Sequence, residues 1–310
     1  MSIGFAYTLA LMALLVAPAA AHGPIPVQPD ALWRSWKVDP WVLIPLVVAL
    51  WLYGRGVRCL WARAGRGRGM SYRSVLSFAA GGAALVVALV SPLDPLGGTL
   101  LSAHMAQHGL LVGLAPPLLL LGRPGVAFAW ALVGARTTRP LASAAWRALG
   151  GLGYALDRPL RAAALHGLVL WLWHAPALFE AAVAHPWVHA LEHACFFGTA
   201  LLFWRAVLDA RTSRRAGPAL VAAFVTFMHS GLLGGLITMA AHPLYATYIG
   251  RSTVWGLTAL DDQQLAGLLM WVPLGLPYLA AGLWLASRLV FGHLDEAATR
   301  GTGALSSSAP

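Results

Sequence analysis

The sequence predicts an all-α polytopic membrane protein with seven transmembrane helices behind an N-terminal signal peptide, its mature N-terminus outside and its C-terminus inside. Three observations predict it. Hydrophobic residues make up 59% of the 310 residues and charged residues only 10%, against about 25% charged in soluble domains. Seven segments are apolar over the roughly 17–25 residues that a bilayer-spanning helix needs. The charges left over fall overwhelmingly in alternate connections. This composition excludes an ordinary soluble enzyme, a disordered chain and a nucleic-acid-binding domain, although the net charge of +10 would otherwise invite the last of these.

The chain opens with an apolar stretch that ends in Ala19-Ala20-Ala21, the small-residue end of a secretory signal. Residues 1–21 are therefore read as a signal peptide or an extra N-terminal helix, and 22–37 as a proline-rich external arm. The spans follow at about 38–54, 74–93, 99–121, 162–180, 187–208, 217–240 and 264–287. The first is short on its inner side unless it continues through Val57 to Trp61. Of the 21 basic residues, all but Arg34, Lys37 and Arg251 lie in the connections after the first, third, fifth and seventh spans. The positive-inside rule places those 18 in the cytoplasm. The long connection 122–161 carries Phe128, Trp130 and Trp146 among arginines and reads as surface-lying helix on the cytoplasmic side. Residues 291–310 read as a disordered cytoplasmic tail. Cys59 and Cys195 fall on or near the cytoplasmic side, where a disulfide is not expected.

This topology turns scattered histidines into a layer. His104 and His108 lie one turn apart in the third span, about 9 and 15 Å below its outer end at 1.5 Å per residue. His189 and His193 repeat that spacing in the fifth span, and His174 sits at comparable depth in the fourth. Imidazole in hydrocarbon must find a partner, and intramembrane ionisable groups mark function by default. The candidate metal ligands are thus His104, His108, His174, His189 and His193. Glu192, Glu180 and Asp94 are candidates to orient an imidazole or balance charge. His166 and His229 read better as helix-to-helix hydrogen bonders. A nitrogen-rich site suits copper, zinc or iron rather than magnesium or calcium, and Met105, Met228, Met239 and Met270 could add thioether contacts for Cu(I). Asp94 and the pair Asp261-Asp262 could collect cations at the outer mouth.

Other residue patterns have structural readings. Pro116-Pro117 should kink the third span and free backbone carbonyls, and Pro273 and Pro277 should do so in the seventh. Gly109, Gly113, Gly231, Gly234 and Gly235 permit close helix approach. His189-Ala190-Leu191-Glu192-His193 also matches the H-x-x-E-H pattern of certain zinc hydrolases, with Glu192 as base, though no further carboxylate ligand follows in a span.

Several strings carry a resemblance. Ser102-Ala103-His104-Met105-Ala106-Gln107-His108 continues through Ala115-Pro116-Pro117 to Gly122-Arg123-Pro124. Trp173-His174-Ala175-Pro176 is followed by Phe179-Glu180, then by His185, His189 and Glu192-His193 with Phe203-Trp204. Asp262-Gln263-Gln264-Leu265-Ala266-Gly267 with Met270-Trp271-Val272-Pro273 closes the series. In this order, over about 38–290, the chain resembles the multi-spanning CtaG-type cytochrome c oxidase assembly factors. The resemblance implies a non-enzymatic, seven-span protein of the bacterial plasma membrane, needed to assemble caa-type haem-copper oxidases. It implies oxidase subunits or other copper-handling proteins as partners, with membrane lipid around it and no nucleic acid. Copper handling is the expected chemistry, with haem or zinc as alternatives. A haem-binding protein, a metal-free scaffold and an intramembrane zinc hydrolase remain the competing functions.

Overall fold

The computed structural model describes residues 26–132, 158–210 and 213–306, giving the backbone alone at 213–214 and 292–306. Residues 1–21, expected to be a signal peptide, and the middle of the 122–161 connection lie outside the described residues. Every regular element among the described residues is helical. They are α1 (Pro40–Ala64), α2 (Tyr72–Leu89), a short α3 (Leu93–Gly97), α4 (Leu101–Gly109), α5 (Ala115–Leu121), α6 (Pro124–Leu132), α7 (Pro159–Trp173), α8 (Pro176–Ala184), α9 (Pro186–Leu208), α10 (Ser213–Met239), α11 (Ala259–Trp271) and α12 (Leu276–Ser306).

Among the described residues, six helical stretches are long and apolar enough to cross a membrane, and the bent pair α7–α8 makes a seventh if counted as one span. The first runs on to Ala64, so its C-terminal end is not short. The fourth is broken: α7 and α8 meet at 73°, because Pro176 bars Ala175 from helical geometry and starts a new helix. His174 sits at that corner. The seventh breaks over residues 272–275, where Pro273 falls. The last helix continues to Ser306, into the tail expected to be disordered.

Burial sorts the spans into inner and outer. In the most apolar stretch of the third and fifth, 61% and 67% of residues are buried, against 22–39% in the first, second, sixth and seventh. The third and fifth are therefore core helices of the bundle, and the rest carry their exposed Leu, Val, Phe and Trp toward lipid. Two packing units flank them. One joins α1, α2, α5 and α6 around Tyr53, Phe78, Leu85, Leu119 and Phe128; the other joins α7, α9, α10 and α12 around Phe196, Phe203, Trp204, Tyr278 and Leu285. The described part of the 122–161 connection, α6, packs along α1, where Gly56 lies directly against the Ala127 carbonyl. A side chain at 56 could not coexist with that contact.

The third span shows how a membrane helix handles proline. A single π turn, Leu110–Leu114, separates α4 from α5. In α register the donor to the Val112 carbonyl would be residue 116, and in π register residue 117, but both are proline. Trp204 of α9 supplies the missing donor, its indole Nε1 bonding Val112 O at 2.9 Å. The kink is thus satisfied across the two core helices, as a membrane interior requires. Close approach elsewhere relies on Gly234 and Gly267, whose facing backbones leave no room for a Cβ. Gly235, by contrast, faces open space.

The end of the bundle where α4 and α9 begin is stitched by the segment before α1 and two loops. Val27 N donates to Thr99 Oγ1 at 2.8 Å, and Trp255 Nε1 donates to Val27 O at 2.8 Å. Lys37 pairs with Asp94 at 2.8 Å. Both cysteines are free thiols; Cys195 lies two residues past His193 in the half of α9 that carries the histidines, not near the Arg205 end where the cytoplasmic expectation put it.

Candidate metal centre

The two histidine pairs face one another between α4 and α9. His104 and His108 are 4.3 Å apart ring to ring, His189 and His193 4.0 Å, and across the helices His104 lies 5.4 Å from His189 and His108 5.4 Å from His193. Glu192 enters the same space, its Oε2 at 3.9 Å from His104 Nε2 and 3.8 Å from His108 Nε2. Ligand atoms from His104, His189, Glu192 and His193 all lie within 4.8 Å of one another; His104, His189 and Glu192 are buried and His193 is half-buried. A tetrahedral ion with ligands at about 2.1 Å spaces them about 3.4 Å apart. Closing that gap asks for side-chain adjustments of about 1 Å, so the donor set fits a metal ion.

Electrostatics point the same way. Glu192 is fully buried, and the groups nearest its Oε2 are the His104 and His108 imidazoles, at 3.9 and 3.8 Å. An anion in a membrane interior is costly, and neutral imidazoles cannot compensate its charge. A cation held among the three histidines would.

The ligand nitrogens are oriented from behind. Tyr248 donates its hydroxyl to Gly97 O at 2.7 Å and lies 3.2 Å from His104 Nδ1. The one phenolic proton is committed to Gly97, so Nδ1–H must be the donor in the second contact. The His104 lone pair is thereby placed on Nε2, the nitrogen facing Glu192. His174 is treated alike: its Nδ1 can only donate to the Leu170 carbonyl, at 2.7 Å, which puts the lone pair on the buried Nε2. Burial pushes the Tyr248 and Tyr245 hydroxyls up, so both stay protonated donors. Tyr245 bonds the His174 carbonyl at 2.9 Å, bracing the α7–α8 corner.

The helix carrying His104 and His108 has no N-cap side chain of its own. Asp262 of α11 supplies one in trans, accepting from Leu101 N at 2.6 Å, Ser102 N at 3.1 Å and Ser102 Oγ at 2.5 Å. A carboxylate there satisfies orphan N–H groups and suits the positive helix end. This corrects the expectation that Asp261 and Asp262 gather cations at the mouth: Asp262 is fully buried, and Asp261 forms a capping box with Thr258. Gln263 locks the adjoining turn, its Oε1 accepting from Leu244 N at 2.6 Å.

The remaining candidates are placed as follows. His174 stands 5.9 Å from His108 and joins the layer at its inner edge. Glu180 is not among the four clustered groups; it accepts from Thr247 N at 3.0 Å and from Thr247 Oγ1, holding the loop that carries Tyr248. Asp94 is occupied by Lys37 and by Gln107 Nε2 at 2.7 Å. His166 bonds Thr199 at 3.0 Å and Tyr278 at 3.1 Å, the structural role expected of it. Met239 and Met228 are exposed, whereas Met105 and Met270 are buried. Sequence reasoning missed Tyr248, and Asp262 as a cap. The Asp262-Gln263-Gln264 string was the only signal for the latter.

Fold and site together define a polytopic all-α membrane protein with a buried histidine–carboxylate cluster between its two core helices. The chain belongs to the cytochrome c oxidase caa3 assembly factor family (Caa3_CtaG), whose family model matches residues 51–290. It is accordingly a multi-pass protein of the bacterial inner membrane and an assembly factor for a haem-copper oxidase. No match was found among curated proteins or among solved structures.

Proposed function

We propose that the protein serves oxidase assembly by binding copper in the histidine layer and handing it on, with His104, His189, His193 and Glu192 as the primary ligands and His108 and His174 adjoining them. The observation that carries this reading is the convergence of three imidazoles and one uncompensated carboxylate in a buried pocket. Copper here is cargo. A site of imidazoles around one carboxylate holds Cu(I) or Cu(II) without the all-thiolate cage that would retain it.

The chain's own residues do three things in this account. Tyr248 and the Leu170 carbonyl set the tautomers that present lone pairs to the pocket. Glu192 balances the ion's charge, and Asp262 fixes the register of α4. No bond-making step is needed beyond ligand exchange, so we propose that the protein is not an enzyme. The distribution of arginines supports an outside N-terminus and inside C-terminus, which places the layer in the outer half of the bilayer. Residues 1–21 fit a signal peptide, 22–37 an external arm, and 38–290 the membrane domain.

Packing favours an ion over haem: the two histidine pairs touch ring to ring, and the cavity beside His108 and His174 measures only about 30 Å³. The test is metal analysis of purified full-length protein loaded with Cu(I), compared with the His104→Ala/His189→Ala variant. Copper is expected in the first, and its loss from the primary site in the second. A Soret band in the purified protein would favour haem instead. Turnover abolished by Glu192→Gln with metal retained would favour hydrolysis.

A further inference from the structure

We propose a second, sulfur-containing Cu(I) station one step deeper in the membrane, formed by His108, His174 and Met270. It rests on the copper reading above and extends it. The cavity of about 30 Å³ is lined by all three, together with Gly109, Ser230 and Tyr278. A cavity above roughly 10–15 Å³ holds a water molecule, so this one accepts a single ion.

Three observations make it a station rather than a packing gap. His174 is buried, its Nδ1 is tied to the Leu170 carbonyl, and no hydrogen bond reaches its Nε2. That nitrogen has been given its lone pair and no protein partner to use it. Met270 is buried too and brings the soft thioether that distinguishes Cu(I) from zinc. His108 belongs to both compartments: its Nε2 is 3.8 Å from Glu192 of the primary cluster, while its ring lines the cavity 5.9 Å from His174. An ion can therefore pass by exchanging ligands one at a time. His108 joins before Glu192 leaves, then His174 and Met270 replace the remaining primary ligands. The ion stays Cu(I) throughout, so no electron or proton acceptor is required.

The donor sets differ in kind, three nitrogens and an oxygen against two nitrogens and a sulfur, and X-ray absorption at the copper edge distinguishes them. The experiment loads full-length protein with Cu(I) anaerobically in detergent and measures stoichiometry and ligand type. Wild type is expected to hold two Cu(I) with a copper–sulfur contribution in the spectrum. Met270→Leu, a swap of similar volume that cores tolerate, should remove the sulfur contribution and one equivalent. His104→Ala/His189→Ala should keep the sulfur-ligated ion. Selenomethionine labelling should replace copper–sulfur by copper–selenium scattering, which separates Met270 from Cys195. One bound Cu(I) with nitrogen and oxygen ligands only, or a sulfur signal unchanged in Met270→Leu, overturns the second station and leaves the primary site standing. No Cu(I) bound by folded wild type overturns both.

Discussion

Replacing Tyr248 by Phe removes one oxygen from the loop between α10 and α11 and tests whether the protein sets the tautomer of His104. The ring itself stays: it is buried to 1% exposure and packs beside Phe179. What is lost is the bond to Gly97 O at 2.7 Å and the acceptor 3.2 Å from His104 Nδ1. Without that acceptor, the imidazole proton has no reason to stay on Nδ1. Moved to Nε2, it blocks the lone pair that faces Glu192 at 3.9 Å. Losses of such orienting partners typically cost 10–100-fold in metal affinity, or about 1.4–2.7 kcal/mol. The stability cost of the hydroxyl itself is smaller, about 1 kcal/mol. Competition between the protein and a chromophoric Cu(I) chelator reads the affinity, and thermal unfolding in detergent reads the stability. A Tyr248→Phe protein with wild-type affinity would refute the orienting role.

Other consequences are equally open to measurement. Asp262→Ala strips three hydrogen bonds from the start of α4 and should destabilise the protein by roughly 3 kcal/mol, with Asp262→Asn intermediate; an unchanged melting temperature would contradict the trans cap. Trp204→Phe orphans the Val112 carbonyl inside the membrane and should cost about 1–2 kcal/mol in the same assay. Because the folded state holds the Tyr245 and Tyr248 protons above the unfolded value of about 10, stability should be steady below that pH and decline as pH rises past it. Melting curves between pH 8 and 11 check this, and Tyr248→Phe should flatten the decline.

Much of this architecture could be read from one sequence, for identifiable reasons. The spans were legible because hydrocarbon imposes length and composition, and the histidine pairs because four residues make one helical turn. The depth of each pair then followed from topology, so the meeting of His104 and His108 with His189 and His193 was foreseeable. The partners that tune the site were not. Tyr248 lies 144 positions from His104 and Asp262 160 from Ser102, and no periodicity links residues on separate helices and loops. Pro116-Pro117 announced a freed carbonyl, but nothing in the sequence named Trp204 as its donor. Glu180 and Asp94 looked like supports for a metal because acidic residues near histidines can be, yet Thr247, Lys37 and Gln107 engage them instead. The fourth span reads from the sequence as continuous over 162–180, straight through Pro176; the 73° corner that brings His174 beside His108 depends on how α8 packs against α9.

The central proposition is that imidazoles from two core helices and the buried Glu192 hold one copper ion together. Electron paramagnetic resonance of Cu(II)-loaded full-length protein, taken before and after uniform ¹⁵N-histidine labelling, addresses it directly. Coupling to several equivalent-depth histidine nitrogens, lost in the His104→Ala/His189→Ala protein while helicity and elution volume are retained, is the predicted result. A spectrum free of histidine coupling, or one that the double substitution leaves unchanged, would contradict it.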